Sequence, residues 1–107
     1  MKAAGFAVRF TAQARADLQR LLDFLIDRAR QAEDLGVALD TIDALEVEIR
    51  HRLASTPYLY RHPGPGSQLR ELVIPAAGNG YLALYDITDA RQVTVIAVRH
   101  QLEDDYL

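Results

Sequence analysis

The chain has no cysteine, which excludes disulfides, zinc-thiolate sites and thiol nucleophiles and leaves packing as the source of stability. It also has no apolar run approaching the roughly 20 residues that span a bilayer. Its start, MKAAGFAVRF, lacks the apolar stretch of a signal peptide, so a cytoplasmic protein with no membrane partner is expected. Lysine is nearly missing: Lys2 is the single one among 12 basic residues, the rest being Arg. A net charge of −3 argues against attraction of the whole surface to nucleic acid, although a local basic patch remains compatible with it. The three histidines, His51, His62 and His100, are scattered and have no neighbouring acids at ligand spacing, so neither a metal site nor a cofactor is expected. There is no internal repeat, low-complexity tract or linker, and 107 residues suit one domain.

What is present is periodic. GFAVRF places Phe6, Val8 and Phe10 on one side, the period of a short strand, and Thr11 can then cap a helix. Ala14, Leu18, Leu21, Leu22, Leu25, Ile26 and Ala29 recur at helical spacing as one apolar stripe. Asp17 falls toward the positive end of that helix dipole, with Arg28 and Arg30 toward the negative end. A second stripe comprises Leu35, Ala38, Leu39, Ile42, Leu45, Ile49 and Leu53, and ends at Ser55, Thr56 and Pro57. The short connection from Gln31 to Gly36 predicts an antiparallel helical hairpin.

PYLYRHPGPGSQ reads as a loop, and LRELVIP, YLALYDI and QVTVIAVRH as three strands joined by the short segments AAGNG and TDAR. An antiparallel meander follows. The fold class is therefore α+β, in the order β-α-α-β-β-β, with the helices packed on one face of the sheet. The strands alternate poorly: Tyr81, Ala83, Tyr85 and Ile87 oppose Leu82, Leu84 and Asp86, while Val93, Val95 and Ala97 oppose Thr94, Ile96 and Val98. Strands covered on both sides read this way. Two helices cover one face, so the second face is expected to be open to a partner, to a second copy of the chain, or to solvent as an apolar patch. By simple parity Arg99 shares a face with Val95 and Ala97, and His100 with Ile96 and Val98.

This arrangement resembles the ParE/RelE superfamily of toxins from bacterial type II toxin-antitoxin pairs. The resemblance is carried by ARADLQRLLDFL, the step from Pro57 to Arg61, LRELVI with its Arg70-Glu71 pair, YLALYDI and VTVIAVRH, and it covers nearly the whole chain. It implies a cognate antitoxin whose C-terminal part wraps the toxin and whose N-terminal part binds operator DNA. It also implies one of two activities: ParE-like members poison DNA gyrase, and RelE-like members cut messenger RNA at the ribosome.

Cutting RNA through its 2′-hydroxyl needs a base, an acid and cations around the crowded phosphate. His100 or Glu71 is the candidate base, Tyr85 or Tyr106 the acid, and Arg70 and Arg99 the clamps. The RelE-like pattern, however, brings a lysine-rich surface, and a related subgroup ends on adjacent His and Tyr. In this chain His100 is followed by Gln101, and Tyr106 comes after Glu103, Asp104 and Asp105, which would repel a phosphate backbone. The resemblance therefore favours the ParE-like, non-enzymatic reading, with the ribosome-dependent endoribonuclease and an inactive antitoxin-binding relic as alternatives. Arg61, Arg70, Tyr85, Arg99 and His100 are the candidates for binding antitoxin or target. Tyr58 and Tyr60 are expected to staple the loop onto the core.

Overall fold

Thr11 ends the first strand and starts the first helix. Its hydroxyl oxygen accepts the N–H of Ala14 at 3.0 Å, the N-cap expected of it, and its own N–H donates to the carbonyl of Val95. The computed structural model describes residues 5–76 and 79–101. It contains β1 (Ala7–Phe10), α1 (Ala12–Asp27), α2 (Ala32–Ser55), β2 (Arg70–Ala76), β3 (Asn79–Asp89) and β4 (Gln92–His100), the element order read from the sequence. At the start of α2 the Asp34 carboxylate accepts the N–H groups of Arg30 and Gln31, fixing the tight connection between the helices.

The four strands form one sheet in the order β1-β4-β3-β2. The last three make the antiparallel meander, whereas β1 lies parallel to β4 and makes the sheet mixed. Ladder partners share a face, so the register assigns the sides. Val8, Phe10, Val93, Val95, Val98, Tyr81, Ala83, Tyr85, Leu72 and Ile74 point toward the helices. Against them pack Ala14, Leu18 and Leu21 of α1 and Ile42, Leu45, Ile49 and Leu53 of α2. Side chains as fully buried as Ile49 and Leu53 each contribute about 1.5–3 kcal/mol.

A bulge in β4 overturns the expected parity at the strand's end. Tyr85 pairs with Val95 and Leu84 with Ala97, leaving Ile96 as an extra residue. Beyond it Val98 turns inward beside Ala83, Arg99 faces outward opposite Leu82, and His100 faces inward opposite Tyr81. Arg99 thus keeps Ala97 but parts from Val95, and His100 keeps Val98 but parts from Ile96.

The outer sheet face is not the exposed apolar surface that the strand pattern suggested. Leu82 is 3% exposed and Ala97 is buried, while Val73, Leu84 and Ile96 are half-buried. The exposed large apolar side chains among the described residues are Phe24, Ile26, Leu35, Val37, Leu39, Val47, Tyr58 and Leu59, all on the helices or the loop after α2. Much of this exposure is on α2, which carries apolar residues on more than one side. Its 24 residues run about 36 Å, and one stripe of Ala38, Ile42, Leu45, Ile49 and Leu53 meets the core, leaving Leu35 and Leu39 outside. No described helix is long and apolar enough to cross a membrane.

Candidate functional site

The chain leaving α2 is tied to the start of β2 and the middle of β3, and this junction holds most of the sequence-predicted residues. Tyr85 is completely buried on the inner face, and its hydroxyl donates to the carbonyl of Pro57 at 2.5 Å. Burial pushes the phenol up to about 12, with the Arg70 charge pulling the other way. So placed, Tyr85 reaches no ligand and can serve neither as a general acid nor as a contact; it is a core residue with its hydrogen bond made. Arg70, in register with Tyr85, does not stack on it. Its Nη1 donates to the carbonyls of Tyr58 (3.1 Å) and Tyr60 (2.8 Å), and its guanidinium lies 5.7 Å from the centre of the Tyr58 ring. Tyr60 packs half-buried against the core, whereas Tyr58 points outward.

Glu71 faces the other way, as alternation requires. It is buried, and its Oε1 accepts from Arg61 Nε (3.1 Å) and Nη2 (2.8 Å) while its N–H donates to the Arg61 carbonyl at 2.7 Å. Arg61 is thus solvent-exposed but ion-paired, and it adds one bridge to the free edge of β2. His62 meets the Leu69 carbonyl through Nδ1 at 2.8 Å. Arg99 is half-buried on the outer face. His100, half-buried on the inner face, stands edge-on to the Tyr81 ring at 5.3 Å, and burial raises the Tyr81 hydroxyl's pKa. Tyr106 and the acidic tail lie outside the described residues.

These positions do not converge. Arg70 and His100 share the inner face, but they align with Tyr85 and Tyr81, four residues apart on β3. That is roughly 13 Å along the strand and about 10 Å across it. Glu71 and Arg99 occupy the opposite face, aligned with Leu84 and Leu82 on either side of β3. A base, an acid and two cations gathered about one phosphate are therefore not assembled from Arg70, Glu71, Tyr85, Arg99 and His100. Among the described residues no group of His, Asp or Glu could hold a metal ion.

Two features escaped the sequence reading. Asp17 is a buried carboxylate inside α1, 3% exposed, bonded to the N–H of Val98 rather than placed for the helix dipole. Its position in the same helical face as Leu18 and Leu21 was the available signal. The other is the outward display of Tyr58 and Leu59, which PYLY announced only as an apolar cluster within a loop.

A helical hairpin laid on one face of a mixed four-stranded sheet defines an α+β fold. The sequence matches the family described as "ParE toxin of type II toxin-antitoxin system, parDE" over residues 8–105, and the chain belongs to that family. A solved chain described as "Chromosomal ParDE TA system from P. aeruginosa" has the same fold, with a TM-score of 0.66 at 13% identity, covering 92% of this chain and 98% of that one. No curated protein sequence matches significantly.

Proposed function

We propose that this chain is the toxin of a toxin-antitoxin pair, that a cognate antitoxin neutralises it, and that the free protein inhibits DNA gyrase by binding rather than by catalysis. The observation that carries this reading is the division of the ribonuclease candidates between two faces of the sheet, with Arg70, Tyr85 and His100 on one and Glu71 and Arg99 on the other. Membership of the ParE toxin family supports it. The exposed apolar residues of the hairpin, Phe24, Val37, Leu39 and Val47 among them, are compatible with a protein partner. Operator DNA enters only through the antitoxin, and the toxin acts in the cytoplasm.

The test is a supercoiling assay with purified toxin and gyrase. Inhibition with accumulation of cleaved DNA is the expected result, relieved by the antitoxin encoded beside the toxin gene. Unimpaired supercoiling at every dose removes the gyrase target. Messenger RNA cut in a translation extract would replace this reading with the ribonuclease one, and unchanged growth on induced expression would replace it with an inactive relic.

A further inference from the structure

Between Glu48 and Glu71 there is no acidic residue, in a chain with 15 acids and 12 bases. Arg50, Arg52, Arg61 and Arg70 all fall in that stretch. Three have a carboxylate: Arg50 pairs with Glu46, Arg52 with Glu48 and Arg61 with Glu71. Arg70 instead holds two neutral carbonyls, so its full charge is retained beside the Tyr58 ring. At the centre of the stretch Tyr58 is 61% exposed and Leu59, at 72%, exceeds every other exposed large apolar side chain described.

Apolar tips on loops are ordinarily mobile, and a partner must then order them. Here the backbone on both sides of Leu59 is already fixed. The carbonyl of Pro57 is bonded by Tyr85, and those of Tyr58 and Tyr60 by Arg70. The Leu59 N–H donates to the Thr56 carbonyl at 3.1 Å, and the hydroxyls of Thr56 and Tyr60 meet at 3.0 Å. The Tyr58 ring rests edge-on against Phe6 at 6.0 Å. A rigid Tyr and a flanking Arg are also the residue types that dominate binding hot spots.

On the protein-binding reading above, we infer that Tyr58 and Leu59 form a preorganised knob that enters an apolar socket rimmed by carboxylates on the toxin's target protein. The carboxylate rim follows from the charge left on Arg70 and from the acid-free sequence between Glu48 and Glu71, two carboxylates that are themselves paired with Arg52 and Arg61. A polyanionic nucleic acid fits less well, because Leu59 offers no ring for a base to stack on and the chain as a whole is acidic.

The experiment compares Leu59→Ser, Leu59→Glu, Leu59→Lys and Tyr58→Ala with the unaltered toxin. The readouts are growth arrest on induction, affinity for gyrase, capture by the antitoxin, and thermal melting. Leu59→Ser should melt as the parent does, remain bound by the antitoxin, and lose tenfold or more in gyrase affinity together with growth arrest. Leu59→Glu should bind more weakly than Leu59→Lys, because it meets like charge at the rim. Growth arrest by the Leu59 variants equal to that of the parent overturns the knob while leaving the toxin reading intact. A parent that arrests growth without binding gyrase, but whose Leu59 variants do not arrest growth, supports the knob and removes gyrase as its target. Loss of antitoxin capture with arrest retained overturns the inference, since the knob would then serve the antitoxin. A single-stranded oligonucleotide bound by the parent and released by Leu59→Ser overturns it in favour of nucleic acid. A parent that does not arrest growth overturns both readings.

Discussion

The Asp17 carboxylate accepts the backbone N–H of Val98 at 2.9 Å, joining the second turn of α1 to a strand 81 residues further on. Strand β1 stops at Phe10, opposite Val95, so beyond that point β4 keeps β3 on one side and has no strand on the other. Helix α1 takes over the edge. Thr11 donates its N–H to the Val95 carbonyl and its hydroxyl to that of Ile96, and Arg20 donates to the Val98 carbonyl. On the other side Arg50 of α2 donates to the carbonyl of Val8 at 2.8 Å, and Phe6 donates its N–H to the Ala54 carbonyl. The helices thus satisfy strand edges as well as cover a sheet face, which protects an otherwise sticky margin.

Asp17→Ala should therefore cost more than an ordinary helix substitution. It leaves the buried Val98 N–H without its acceptor and releases Gln13 and Arg20, which also contact the carboxylate. A loss of about 2–3 kcal/mol is expected from denaturant unfolding, with faster hydrogen exchange at the Val98 amide. Asp17→Asn keeps an acceptor oxygen and should lose roughly 1 kcal/mol. Equal, small losses for both would show that the edge bond contributes little.

Gly80→Ala tests the turn end of the meander. A Cβ built there lies 2.9 Å from the Ile74 carbonyl oxygen and 2.6 Å from the Gln101 side-chain oxygen. The glutamine can swing away, but the carbonyl belongs to β2 and moves only with the β2–β3 pairing. Destabilisation of about 1–3 kcal/mol should appear in thermal or chemical melts. Adding Gln101→Ala should not restore it, because the backbone contact remains.

The sequence revealed elements wherever one local pattern decided the outcome. Thr11 before a 3.6-residue stripe marked a helix start, and Thr56-Pro57 marked a helix end. Alternation separated Tyr81, Ala83, Tyr85 and Ile87 from Leu82, Leu84 and Asp86, but with both sets apolar it left open which of them meets the helices. The sequence failed where the deciding partner was remote. Nothing local to VTVIAVRH shows that Ile96 is passed over in pairing, yet that one bulge reassigns the faces of Arg99 and His100. Leu35 and Leu39 fit the α2 stripe as well as Ala38 and Ile42 do, and only the position of α2 on the sheet decides which are covered. Among the candidate site residues, the types were legible but their use was not: Arg70 and Tyr85 look catalytic in a list of residues and prove to hold the loop after α2.

That holding role predicts a separable phenotype for Arg70. Arg70→Ala removes the Nη1 group that donates to the Tyr58 and Tyr60 carbonyls. Limited proteolysis between Pro57 and Arg61 should accelerate, with a stability loss of about 1–2 kcal/mol. Arg70→Lys should recover only part of the protection, since a shorter, freely rotating ammonium does not hold two N–H groups in the fixed plane in which Nη1 meets both carbonyls. Unchanged cleavage in Arg70→Ala would mean that the bond from Tyr85 to Pro57 suffices to fix the segment.

Tyr85 should give the fold an alkaline limit. Its phenol titrates near 10 when unfolded but is pushed up to about 12 by burial in the native state. The folded protein therefore holds this proton more tightly than the unfolded chain. The resulting stabilisation, about 2–3 kcal/mol, is fully present below pH ~10 and disappears as pH rises through about 12. Tyr81, also raised by burial, adds loss in the same direction. Melting followed across this range should show Tyr85→Phe starting about 1 kcal/mol lower at neutral pH, for want of the bond to Pro57, and then declining less steeply. Because the Arg70 charge favours the phenolate, Arg70→Ala should move the parent's alkaline transition further up. An identical alkaline slope in Tyr85→Phe and the parent would place the limit on other tyrosines.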